Sequence, residues 1–118
     1  MNSKELEARL KTFAYRVVNV CDALPKKKIS KVIEDQLLRS SFSAAANYRA
    51  ACKAISKRSF TSKLSIAFEE SDESLFWIEV IQDMELLPVD KLSAIIKEAT
   101  ELASILAASR KTAQQRLQ

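Results

Sequence analysis

Residues 30–86 read SKVIEDQLLRSSFSAAANYRAACKAISKRSFTSKLSIAFEESDESLFWIEVIQDMEL, and the spacing within this stretch decides the fold class. Ile33, Leu37, Ser40, Ala44, Asn47 and Ala51 recur at steps of three or four, which places them on one face of a helix. After a polar break the pattern resumes with Phe60, Leu64, Ala67, Ser71, Leu75, Ile78 and Ile81 or Gln82. The middle of the first of these segments is crowded with small residues, among them Ser40, Ser41, Ala44, Ala45 and Ala46. Small side chains let a neighbouring backbone come close, so a tight helix–helix contact is expected there, inside the protein or between subunits. Phe68, Phe76 and Trp77 lie off the stripe of the second segment, which gives that helix another apolar surface to cover.

Two further periodic segments flank this pair. Leu6, Leu10, Phe13, Val17, Val20, Cys21 and Leu24 form the first stripe, with Ser3 as the expected N-cap and Pro25 as the stop. Leu92, Ile95, Ile96, Ala99, Leu102, Ile105 and Leu106 form the last, entered after Pro88 with Asp90 in its first turn. Helices are expected at about 3–24, 30–55, 57–86 and 89–114, with Ser30 capping the second and a fraying polar tail from Ser109. Connections of a few residues force neighbours to run antiparallel. One all-α domain over residues 1–118, an antiparallel up-down-up-down four-helix bundle, is the economical answer. A long three-helix or coiled-coil arrangement is second.

The composition narrows the chemistry. Glycine is absent, which counts against β-hairpins and against a glycine-rich phosphate cradle. Histidine is absent too, removing Ser-His and Cys-His activation and the usual di-iron and zinc ligand sets. Cys21 and Cys52 are far apart without metal-ligand spacing, so each is expected to be a buried, reduced thiol. Glu69, Glu70, Asp72 and Glu73 cluster in sequence but fall on several faces of one helix. No metal, no cofactor and no enzyme site is therefore expected. The opening MNSKELEARLK is charged, with no apolar signal-peptide core after it. A soluble, cytoplasmic protein without a membrane span is expected.

The formal charge is +4, unevenly distributed. Residues 60–88 carry one basic and seven acidic groups, whereas residues 30–59 carry six and two. Two basic clusters emerge: Arg49, Lys53, Lys57, Arg58 and Lys63 around the second connection, and Lys26, Lys27, Lys28 with Lys31 at the first. These are the candidate contacts to RNA or DNA phosphates, because lysine and arginine gain affinity by releasing condensed counterions. The same clusters also read as a solvated surface partly neutralised by the acidic third helix. Tyr48, beside Arg49, is the one aromatic available for base stacking. Asn47 falls on an apolar stripe, where a buried amide would fix helix register or bridge subunits. Trp77 reads as a packing or interface anchor.

The stretch Gln36–Val80 resembles the proteins of intervening sequences in bacterial 23S ribosomal RNA genes. The resemblance rests on Gln36-Leu37-Leu38-Arg39-Ser40 followed by Ser43 and Asn47, then Phe60 and Lys63-Leu64-Ser65-Ile66-Ala67, then the acidic run Glu69–Leu75 leading to Trp77-Ile78-Glu79. Leu24-Pro25 matches the close of the family's first helix. Many members carry Ala-Glu-Gly after the asparagine; this chain reads Tyr48-Arg49-Ala50-Ala51, so no role of that acid transfers. It is also similar to the accessory protein of diversity-generating retroelements, a basic bundle that binds a reverse transcriptase and nucleic acid. The resemblance implies a four-helix bundle assembling as a homopentamer. The expected function is a self-associating, non-enzymatic protein that contacts RNA or DNA through a basic surface. The alternative is a protein–protein scaffold that binds no nucleic acid.

Overall fold

The computed structural model describes all 118 residues. Its four helices are α1 (Ser3–Ala23), α2 (Lys28–Cys52), α3 (Lys57–Asp83) and α4 (Val89–Gln115). The long axis of the molecule is 47 Å and the other two are 22 Å. Consecutive helices pack against one another, and α1 also meets α4 through a sparser seam. This is the antiparallel four-helix bundle that the periodicity predicts. Leu10, Leu37, Leu64 and Leu102, one from each helix, lie in a single buried cluster.

The helix ends show how local chemistry chose the boundaries. Asn2, not Ser3, caps α1: its Oδ1 accepts from the Glu5 N–H at 2.9 Å and its Nδ2 donates back to Glu5 Oε1 at 3.2 Å. Leu24 is extended (ψ 144°), as a residue before proline must be. Ser56 caps α3 by accepting from the Ser59 N–H at 3.0 Å. At the far end of α3, Leu86 donates its N–H to the Ile81 carbonyl and Glu85 donates to Gln82. These bonds make a Schellman stop, and Glu85 occupies its left-handed position with φ 54°, where glycine is usual. In a chain without glycine some other residue had to take that conformation.

α2 starts earlier than expected. Its N-cap is Lys27, in extended conformation and without a side-chain cap bond, and Ser30 falls in the third helical position. α4 runs to Gln115, close to the expected end near 114, and Ala113 is buried, so the stretch from Ser109, expected to fray or project, packs beside the start of α3.

Among the small residues of α2, Ser40 meets α3 inside the bundle, whereas Ala45 and Ala46 lie beside Ala14 and Tyr15 of α1. Ser40 and Ser74 are fully buried with Oγ atoms 2.9 Å apart. The Leu37 carbonyl lies 3.3 Å from Ser40 Oγ and the Glu70 carbonyl 3.0 Å from Ser74 Oγ, so one serine donates to its own helix and accepts from the other across the crossing. Polar groups this deep are tolerated because they are satisfied. Two ion-pair networks brace the outer seams. Arg39 of α2 grips Glu70 and Glu73 of α3, and Arg9 of α1 reaches Glu98 at 2.6 Å and Glu101 at 3.2 Å on α4. No helix is long and apolar enough to cross a membrane.

Three expectations need correction. Asn47 is only half-buried and donates to the Ser43 carbonyl at 2.9 Å and the Ser43 hydroxyl at 3.1 Å, so it bonds its own helix and bridges nothing. Tyr48 holds the neighbouring inward position and is buried; it has no ring face to offer a base. Cys21 is buried but Cys52 is exposed, because Ala51 takes the inward position of the last turn and the next residue is rotated about 100° away from it.

Candidate nucleic-acid interface

The α2–α3 turn carries Lys53 at the C-cap of α2 and Lys57 and Arg58 in the first turn of α3. Arg49 lies one turn before it and Lys63 two turns after it, and all five side chains are exposed. Arg49 pairs weakly with Glu7 across the α1–α2 seam at 3.9 Å. Lys53, Lys57, Arg58 and Lys63 have no carboxylate within 4.0 Å. The structure therefore brings this cluster together and leaves four of its five charges unneutralised.

Helix polarity makes the placement of Lys57 and Arg58 informative. The N-terminus of a helix carries a partial positive charge and favours anions. The first turn of α3 contains no acidic residue and two cations. That arrangement lowers helix stability while raising the local positive potential. Free amide groups at the same terminus add to the attraction for phosphate.

Tertiary structure adds residues that the sequence reading missed. α4 ends beside the start of α3, so Lys57 and Arg116 line one open cleft of about 440 Å³ together with Phe60, Thr61 and Thr112. One turn deeper, the Arg110 guanidinium sits 4.4 Å over the Phe68 ring, a cation–π contact that fixes its direction. The signal was available in principle: in an antiparallel pair, the end of α4 must return to the start of α3.

Lys26, Lys27 and Lys28 are not part of this surface. They lie at the other end of α2, whose 25 residues span about 37 Å at 1.5 Å per residue. There they line a shallow opening with Ser30, Lys31 and Glu34. Lys31 also approaches Asp35 at 3.9 Å. The eight candidate residues thus form two separate basic ends, with the acidic outer face of α3 between them.

The remaining polar groups are mostly engaged. Burial pushes the Glu73 carboxyl up, but hydrogen bonds from Arg39 and Trp77, with the charge of Arg39, outweigh it and hold Glu73 below the usual range. Trp77 Nε1 donates to Glu73 Oε2 at 3.1 Å, which orients the indole as a packing group. Burial, with the nearby charges of Glu34 and Asp22, raises the Cys21 thiol to about 12, so this cysteine stays protonated and unreactive.

Two aromatic pairs remain at the surface. Tyr15 and Phe42 stand 6.2 Å apart on the α1–α2 face, and Phe76 meets Trp77 edge to face at 5.0 Å on α3. Tyr15, Phe42 and Phe76 are each at least two-fifths exposed. Lys11 and Arg49 flank the first pair together with Glu7, which partly offsets them, whereas Asp72, Glu79 and Asp83 lie on the exposed side of the helix that carries the second.

These features define a class: an all-α bundle with basic ends, an acidic flank and unpartnered aromatic faces. The chain matches the 23S rRNA-intervening sequence proteins over residues 5–108 and belongs to that family. It is also similar to the crystal structure of a protein of unknown function from the S23 ribosomal protein family of Bacteroides thetaiotaomicron VPI-5482. The two share 31% identity and a TM-score of 0.83, over 94% of this chain and 99% of that one. No curated protein matches the chain.

Proposed function

We propose that this chain is a non-enzymatic, self-associating cytoplasmic protein that holds RNA or DNA by its phosphates through the α2–α3 end. The observation that carries this reading is the unneutralised set Lys53, Lys57, Arg58 and Lys63, two of them in the first turn of α3, where cations are unfavourable to the helix itself. A merely solvated surface gains nothing from that placement. Contacts of this kind grip the backbone and read no sequence.

Self-association is supported by the two aromatic faces. They differ in position and in surrounding charge, basic at Tyr15–Phe42 and acidic at Phe76–Trp77. Unlike faces that complement each other make a head-to-tail contact, which closes into a ring where the rotation between neighbours divides a full turn and otherwise runs on as a filament. A homopentamer is the ring that the family resemblance implies. The same exposed aromatics support the second reading, a scaffold for another protein.

Binding of a generic RNA measured against salt tests the first reading. The affinity should fall steeply with salt and weaken in a Lys57→Gln/Arg58→Gln variant. No binding at low salt, or affinity indifferent to salt, would refute it. Light scattering tests assembly: a monomeric mass for the intact chain removes the ring.

A further inference from the structure

The cleft between the start of α3 and the end of α4 lies where one corner of the bundle is vacant. Arg9 of α1 reaches Glu98 and Glu101 of α4, and these two helices run antiparallel. The start of α1 at Ser3 is therefore level with about residue 106 of α4. α4 continues to Gln115, roughly 13 Å further at 1.5 Å per residue. Over that length α1 covers neither neighbour, and no residue of α1 lines the cleft. Thr61 and Ala113 are buried and Phe60 is half-buried, whereas Lys57, Thr112 and Arg116 are exposed. An uncharged wall thus lies beneath a rim with two cations. No acidic residue lines the cleft, and neither Lys57 nor Arg116 has a carboxylate within 4.0 Å. Lys57 and Phe60 also line a second opening, beside Ser3, Tyr48 and Cys52, so Phe60 stands between two open spaces.

We infer that this cleft receives an unpaired nucleobase of a single strand, stacked on Phe60, while the phosphates on either side of the base rest on Lys57 and Arg116. The inference rests on the phosphate-binding reading above and adds the kind of strand. The rim alone suits any polyanion, but a phosphate has no use for the apolar wall below it. A base joined to its phosphates matches both, a flat face against the ring and anions against the cations. The cleft volume of about 440 Å³ falls within the roughly 300–1,000 Å³ of small-molecule sites, which is room for one nucleoside-sized group. The Thr112 hydroxyl both donates and accepts, so it suits the edge of any base. Stacking on an aromatic ring is equally tolerant of sequence. A base inside a duplex is already stacked and paired, and it does not enter without being flipped out.

Fluorescence anisotropy of the intact chain with two labelled DNA strands of equal length is the direct test. One strand is oligo(dT) and the other carries stable abasic sites, so the phosphates match and only the bases differ. The wild type should hold oligo(dT) about tenfold more tightly, the effect of one base stacked on an aromatic side chain. Phe60→Leu keeps apolar packing, removes the ring and should abolish that preference. Ala108→Leu/Thr112→Leu fills the cleft from two exposed positions. It should abolish the preference too, while the abasic strand binds as it does to the wild type. Lys57→Gln/Arg58→Gln should weaken both strands alike. Equal affinity of the wild type for the two strands overturns the base site, and the salt dependence of that binding then reports separately on the phosphate reading. Failure of both strands to bind at low salt overturns the phosphate reading as well. A preference for oligo(dT) that survives both cleft variants places the base elsewhere and overturns the assignment. A lower oligomer mass in Ala108→Leu/Thr112→Leu, with the preference retained, gives the cleft to a second copy of the chain and overturns it equally.

Discussion

Ser40 Oγ and Ser74 Oγ lie 2.9 Å apart, fully buried where α2 crosses α3. Two serines facing each other bring the helix axes closer than leucines would, and the mutual bond satisfies both hydroxyls. On its outer side Arg39, the residue before Ser40, grips Glu70 and Glu73, the latter immediately before Ser74.

The crossing should resist enlargement more than deletion. Ser40→Leu or Ser74→Leu forces extra volume into a closed seam and should lower stability by about 1–3 kcal/mol or more. Ser40→Ala should cost about 1 kcal/mol. The Ser40→Ala/Ser74→Ala double variant should lose less than the sum of its singles, since neither partner is then left unpaired. Urea unfolding of these four variants and of Ser74→Ala measures each difference.

Glu85 should be improvable. Its left-handed backbone (φ 54°) opposes the steric preference of any residue with a Cβ. Glu85→Gly keeps the Schellman bonds and should raise stability by about 1 kcal/mol, read as a higher melting temperature. A lower melting temperature would show that the glutamate side chain supports the turn in another way.

Acid should loosen the α2–α3 seam. Glu73 titrates lower in the folded chain than in the unfolded one, through Arg39 and Trp77 against the opposing effect of burial. Its contribution is therefore complete above the ordinary carboxyl value of 4.5 and disappears as the pH falls through the folded-state value. Melting temperatures of Glu73→Gln should depend less on pH below that point than those of the wild type. An unchanged pH profile would remove this pair from the acid response.

Lys57→Glu and Arg58→Glu should separate binding from stability. Each puts an anion where the α3 dipole favours one, worth about 0.3–1 kcal/mol at low salt, and each should reduce RNA affinity with a shallower salt dependence. Thermal melts and filter binding at two salt concentrations read both effects. A variant that loses stability and keeps its affinity would contradict the electrostatic account of this end.

Much of the bundle was legible along the chain. The stripes at Leu6–Leu24, Ile33–Ala51, Phe60–Ile81 and Leu92–Leu106 depend on spacing alone, and spacing is a sequence property. The caps were less legible: a serine opens three of the four runs, yet of Ser3, Ser30 and Ser56 only Ser56 caps its helix. Asn47 and Tyr48 were misread because one residue is a rotation of about 100° on a helix. Between two neighbours near the edge of a stripe, only the packed partner decides which turns inward.

The candidate sites divide along the same line. That Lys53, Lys57 and Arg58 share one exposed turn follows from their adjacency. That Arg116 joins them while Lys26, Lys27 and Lys28 do not follows from the reversal of direction at each connection. The unpartnered Ser30 hydroxyl is equally invisible in one dimension, because satisfaction of a polar atom is a relation between neighbours in space. Sequence alone thus determined the elements, their lengths and the sign of the charge on each. Tertiary structure alone decided which charges lie at one end, which are neutralised and which polar groups remain open, since these depend on distances across helices that periodicity does not encode.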